Sequence, residues 1–224
     1  QDPKHPDVAL FEEGQTLPRL AACEHIAGSR KLIDKAMQIQ TEMGPVFDIT
    51  CDCEDGAPAG QEHEHVRMVA NRIESTDNSF LHMGARVHDP SSAFWKMDVD
   101  VLVGEAGAHI AYLTLPKCQS ASDALTMIEY LRTREAAAGL QRKIPVHILI
   151  ETHGALRDVQ QIAALEGVET LDFGLMDFVS SHHGALGFDV MRSPRQFEHP
   201  LLVRAKSDIV AAALANGVVP SHNV

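Results

Sequence analysis

The chain has 224 residues, a formal net charge of −12 and an apolar fraction of 45%. That length and apolar content support one large globular domain with a full core, while the acidic balance excludes a nucleic-acid binder, which needs a basic surface. No apolar run approaches the roughly 18 residues of a membrane span, so no membrane partner is expected.

Cys23, Cys51, Cys53 and Cys118 give no disulfide framework, and a reducing, cytoplasmic setting fits them best. The opening stretch QDPKHPDVALFEEG has no basic-then-apolar leader pattern and no initiator Met, so the chain is expected to be part of a longer product.

Strand-like and helix-like segments alternate. Leu20–Ile26 reads as a first strand, and Ser29–Met43 as a helix closed by Gly44-Pro45. Val46–Cys53 is a second strand, Glu62–Glu74 a helix, and Met83–Val87 a third strand. Ile110–Leu115 is a fourth strand stopped by Pro116, and Ser122–Ala138 an amphipathic helix with Ala124, Leu125, Ile128 and Leu131 on one stripe. Pro145–Glu151 is a fifth strand, Leu156–Leu165 a helix and Thr170–Met176 a sixth strand. Leu201–Ala215 is a helix stopped by Gly217, and Val218–Val224 begins a seventh strand.

Alternating βα units imply a parallel sheet, either doubly wound or closed as a TIM (β/α)8 barrel. EHIAGSR after the first strand lacks a glycine-rich phosphate loop, which weakens a nucleotide fold. A barrel places chemistry at strand C-terminal ends. Here those ends carry Asp52/Glu54/Asp55, Arg86/His88, Lys117, Glu151/His153 and Asp177. Residues 1–224 are therefore read as a single barrel domain, C-terminally incomplete, its eighth strand and C-terminal lid absent.

The end residues suggest specific chemistry. Glu151 closes an apolar strand, and Asp177 follows another in LDFGLMDF; two carboxylates on adjacent strand ends suit Mg2+, which keeps waters and leaves room for substrate oxygens. Each acid alone also fits a plain helix-terminus role. Arg86 could grip a carboxylate or a developing oxyanion, or simply balance the acids. Lys117 beside acids reads as a permanent charge. His63/His65, His182/His183 and Cys51/Cys53 lack zinc-ligand spacing. In FDITCDCEDG, Asp48, Asp52 and Glu54 share one strand face and Cys51 and Cys53 the other; Asp48, if buried, needs a partner that the sequence does not name.

In order and spacing, HIAGSRKLIDKA, DCEDG, GARVHD, LPK, LIET and FGLMD together resemble the citrate lyase β-subunit-like family, grouped with malyl-CoA lyases and HpcH/HpaI aldolases. The resemblance runs from about Leu20 to Val224. It implies an oligomeric, Mg2+-dependent (or Mn2+-dependent) carbon–carbon lyase that cleaves or condenses a 3-hydroxy acid or its acyl-CoA thioester through an enolate. Glu151 and Asp177 would hold the metal, Arg86 and Glu151 would bind substrate, and Arg86, Glu54 and Asp55 would form the catalytic group. Partners would be a 2-oxo acid, an acyl-CoA and further copies of the chain. Ala21 stands where the family's first strand commonly carries Arg, Glu24 and His25 replace apolar positions, and His88 replaces a frequent Asn. The altered first strand favours, as an alternative, a CoA-independent aldolase on free 2-oxo acids; a non-catalytic ligand-binding subunit is the other alternative, and the acids and Arg86 argue against it. The general acid/base is expected beyond Val224.

Overall fold

Strand β2 (Phe47–Asp52) shows how the sheet is built. It is buried throughout, so its two faces need different companions. Phe47, Ile49 and Cys51 pack into the apolar layer, while Asp48, Thr50 and Asp52 alternate with them on the other face. The sheet is thus apolar toward its helices and polar toward its own concave side. The computed structural model describes residues 20–222; the opening stretch and the last two residues of the seventh predicted strand lie outside them.

Among the described residues, seven strands form one parallel sheet in sequence order: β1 (Cys23–Ala27), β2, β3 (Met83–Arg86), β4 (Leu113–Leu115), β5 (Val146–Ile150), β6 (Val168–Phe173) and β7 (Val219–His222). The helices are α1 (Arg30–Met43), α2 (Glu62–Glu74), α3 (Trp95–Ala106), α4 (Ala121–Ala137), α5 (His153–Arg157), α6 (Val159–Ala163), α7 (Leu175–Ser180) and α8 (Pro200–Ala215). Residues of both edge strands, β1 and β7, line one cavity, so the sheet curls into an open barrel with the helices outside. This is the TIM-like architecture expected, without an eighth strand among the described residues. No described helix is long and apolar enough to cross a membrane.

Local chemistry sets the helices. Ser29 caps α1 by accepting from the Leu32 amide, and Ile33, Ala36, Met37 and Gln40 form its buried stripe. Gln40 Nε2 donates to the Phe47 carbonyl at 2.7 Å, tying α1 to the strand that follows it. Ser120 caps α4 in the same way.

Four departures from the sequence reading stand out. Leu175 and Met176, read as the end of strand six, instead begin helix α7 after Gly174. Nor does the sequence reading include helix α3. It starts without a side-chain cap, and a buried acid, Asp98, breaks its apolar stripe. The helix read over Leu156–Leu165 is two short ones, α5 and α6, parted at Asp158, whose carboxylate accepts the Ala121 amide at 3.1 Å. Strands one and four are shorter than predicted, beginning at Cys23 and Leu113.

Gly28, after β1, touches Gly56 so closely that a Cβ would lie 2.0 Å from the Gly56 carbonyl oxygen. Gly28→Ala is therefore expected to destabilise the fold by about 1–3 kcal/mol. Gly104→Ala, in α3 with nothing within 4 Å, should be neutral or stabilise by up to about 1 kcal/mol. Chemical denaturation of the two variants checks the contrast.

Candidate functional site

The site is built on an ion pair between strands. β2 and β3 align Asp52 with Arg86, and both side chains point to the concave side. Arg86 Nε donates to Asp52 Oδ1 at 2.8 Å and Nη2 to Oδ2 at 2.5 Å, a bidentate fork. Asp52 also accepts the Glu54 amide at 2.9 Å and the Gly56 amide at 2.8 Å. A Cβ on Gly56 would stand 2.5 Å from Asp52 Oδ2, so the turn after β2 needs glycine to wrap the carboxylate. Burial opposes the charge on Asp52, but Arg86 and the two amides outweigh it and hold the carboxyl below its ordinary range.

Two further contacts extend the pair. Arg86 Nη1 is 3.3 Å from Glu54 Oε2, and Lys117 Nζ is 3.0 Å from Glu54 Oε1 and 2.7 Å from Asp55 Oδ2. Burial raises the Glu54 carboxyl, with Arg86 and Lys117 only partly offsetting it. Lys117 itself has a positive φ of 52°, a left-handed conformation that turns the chain sharply after β4. Its backbone amide donates to Glu151 Oε1 at 2.8 Å. Acids and bases thus form one chain around the strand ends: Asp52, Arg86, Glu54, Lys117 and Glu151.

Glu151 is buried at the end of β5. Burial, then the nearby Asp177 charge, push its carboxyl up to about 8. Asp177 lies in the first turn of α7, half-buried. Gly174 separates β6 from α7; a Cβ there would sit 2.3 Å from Glu151 Oε2, so glycine is what lets Glu151 stand upright. Arg86, Asp55, Glu151 and Asp177 all line a cavity of about 800 Å³. Two carboxylates that repel each other across an open cavity, beside fixed cations, fit a hard divalent ion with vacant positions.

Deeper in the same cavity the concave face stays polar. Asp48, whose partner the sequence did not name, meets His82 Nδ1 at 2.5 Å. Glu24, His147 and Asp172 converge from β1, β5 and β6. Burial works against a charged His147, yet hydrogen bonds to Glu169 and Glu24 and the Asp172 charge outweigh it and raise the ring to about 9. The Tyr112 ring stacks on the His147 ring at 3.8 Å between centroids. Gly84 makes the room, since a Cβ there would lie 2.3 Å from that ring.

The predicted residues therefore separate. Arg86, Glu54, Asp55 and Glu151 are joined by contacts, and Asp177 faces Glu151 across the cavity. His88 is not among the cavity-lining residues; its Nδ1 binds Asp98 of α3 at 2.6 Å. Asp52, which clamps Arg86, carries no role in the sequence reading, although its place directly opposite Arg86 follows from the two strand ends. The Glu24–His147–Asp172 group was missed altogether.

A family model described as HpcH/HpaI aldolase/citrate lyase matches residues 35–222. A crystal structure of a citrate lyase from Burkholderia xenovorans LB400 shares 48% identity and superposes with a TM-score of 0.90 over 94% of this chain and 66% of that one. L-malyl-CoA/beta-methylmalyl-CoA lyase of Rhodobacter capsulatus is 25% identical over 73% of this chain and 51% of its own length. The chain thus spans about half (51%) the length of that curated relative. Mycobacterium tuberculosis CitE in complex with magnesium, acetoacetate and coenzyme A shares the fold, with 18% identity and a TM-score of 0.66 over 91% of this chain and 65% of that one.

Two outcomes follow from this geometry. Gly174→Ala, whose Cβ would also lie 2.5 Å from the Glu151 Cβ, should displace Glu151, weaken divalent-cation binding at least tenfold and lower the melting temperature, read by calorimetry and thermal melts. Glu151, held near 8 against an ordinary value of 4.5, keeps a proton in the folded metal-free protein between those values. Metal-free stability should fall as pH rises through that window. Cation affinity at this site should rise by up to about tenfold per pH unit and level off near pH 8. Titrations from pH 5.5 to 9 measure both.

Proposed function

The chain belongs to the HpcH/HpaI aldolase/citrate lyase family, and we propose that it is a Mg2+-dependent carbon–carbon lyase that cleaves or condenses a 3-hydroxy acid or its acyl-CoA thioester through an enolate. The observation that carries this reading is the clamped Arg86 beside the buried Glu151 on one cavity wall.

Glu151 and Asp177 would hold the metal, whose chemistry is to chelate and polarise the carbonyl of a 2-oxo acid. The Lys117 amide fixes one Glu151 oxygen. Arg86 gives Nε and one Nη2 hydrogen to Asp52 and sets Nη1 3.3 Å from Glu54 Oε2, which leaves part of the guanidinium on the cavity wall to meet substrate. In the cleavage direction the 3-hydroxyl loses its proton, the C2–C3 bond breaks, and the bonding pair passes to the departing acid or thioester as an enolate. The hydroxyl carbon becomes the carbonyl of the 2-oxo acid. Arg86 offsets the charge on the enolate oxygen, and a proton on C2 completes the product. Glu54 and Lys117 keep Arg86 and Asp55 in register instead of reacting themselves. Magnesium with acetoacetate and coenzyme A on a structural neighbour supports this assignment.

A second reading is a CoA-independent aldolase on free 2-oxo acids. Ala21 and Ala22, small and uncharged, line the cavity at the start of β1, where an acyl-CoA site would be expected to place a cation.

Arg86→Lys keeps the charge and loses the fork, so kcat should fall about 100-fold or more while Mg2+ binding persists. Glu151→Ala should abolish both. Product mass over a panel of acyl-CoA thioesters and free hydroxy acids separates the two substrate classes. Unchanged Mg2+ binding and turnover in Glu151→Ala would refute the lyase reading.

A further inference from the structure

We propose that Glu24, His147 and Asp172 form a second cation site in the barrel lumen, one that takes a divalent transition-metal ion through one imidazole nitrogen and two carboxylate oxygens. It is separate from the Glu151/Asp177 pair. His147 precedes Glu151 by four positions on β5, about 13 Å along an extended strand.

The ligand atoms of the three residues all lie within 4.8 Å of one another. His147 Nδ1 and Glu24 Oε2 are already 3.5 Å apart, close to the spacing of neighbouring ligands around an ion bound at about 2.0–2.2 Å.

Unpaired atoms point to an occupant. His147 and Asp172 are 2% and 7% exposed, and no close hydrogen bond reaches His147 Nδ1 or Asp172 Oδ1; the acid facing Nδ1 is Glu24, its Oε2 at 3.5 Å. Buried polar atoms are costly when unsatisfied, and here both belong to the same cluster. Their companion atoms are held from behind. His147 Nε2 faces Glu169 Oε2 at 3.1 Å, and Thr170 donates to Asp172 Oδ2 at 3.0 Å. Thr50 donates to Glu24 Oε1, leaving Oε2 for the cluster. Outer partners of this kind orient metal ligands and fix the histidine tautomer.

The backbone is shaped to the same end. Val146 pairs with Val168 and His147 with Thr170, so Glu169 is an extra residue at an irregularity in β6. Such bulges re-aim side chains, and this one brings the Glu169 carboxylate behind the imidazole. An imidazole with two carboxylates suits Mn2+, Fe2+, Co2+ or Zn2+ better than Mg2+. An ion here would also tie the edge strand β1 to β5 and β6 across the lumen.

Co2+ is the probe, offered at low micromolar concentration to chelator-treated protein in excess Mg2+. Wild type and Glu151→Ala should each retain one Co2+ after dialysis, with visible d–d absorption and a raised melting temperature. His147→Gln and Asp172→Asn should retain none and show no such rise. The proposal is overturned if wild type retains no Co2+ or if the two lumen variants bind it as wild type does. It is equally overturned if Glu151→Ala loses Co2+, which would place the ion at the rim. Should His147→Gln fail to fold, the remaining proteins decide by the same outcomes. Retained Co2+ together with an unchanged Mg2+ isotherm in Glu151→Ala would instead sink the rim assignment and leave the lumen site standing.

Discussion

The Asp52–Arg86 fork is the contact on which the rest of the site depends. A guanidinium and a carboxylate buried between β2 and β3 would be costly without partners, and removing either member of such a pair costs about 3–5 kcal/mol. Here both Asp52 oxygens are engaged, one by Nε and the Glu54 amide, the other by Nη2 and the Gly56 amide. The fork fixes the plane of Arg86, and the turn glycines fix Asp52. An arginine held this way keeps its free N–H groups aimed without having to reorganise when charge develops in front of them.

A second constraint is the excess of acid on the concave face. At the rim, Lys117 and Arg86 compensate Glu54 and Asp55, and Glu151 is left facing Asp177. Lower down, His82 compensates Asp48, while His147 is surrounded by Glu24, Glu169 and Asp172. Both levels favour bound positive charge, as protons or as cations. Glycine recurs where this polar interior is tightest: Gly56 under Asp52, Gly84 under Tyr112 and Gly174 under Glu151. Each makes room for a functional side chain by having none of its own.

Much of this was legible in the sequence because a barrel concentrates chemistry at strand ends, where short motifs report it. Arg86, Lys117, Glu151 and Asp177 could be picked out as polar residues closing apolar runs, and the two-residue alternation in FDITCDCEDG separated acids from cysteines correctly. What escaped notice depends on distant segments. Asp48 and His82, or Glu24 and His147, meet only once the strands are paired, and no local pattern signals it. The irregularity at Glu169 breaks the two-residue alternation that a strand reading assumes. Helix α3 was hidden because Asp98 interrupts its apolar stripe, and His88, which answers that acid, comes ten residues earlier.

The central claim is that Glu151 and Asp177 hold the catalytic cation directly in front of Arg86. Anomalous diffraction from crystals soaked in Mn2+ and a 2-oxo acid tests it most directly. The account predicts a peak bonded to both carboxylates, with the oxo acid's oxygens completing the coordination and Arg86 at hydrogen-bond distance from the substrate. A fully occupied ion that touches neither Glu151 nor Asp177, with the oxo acid bound beside it, would contradict the account.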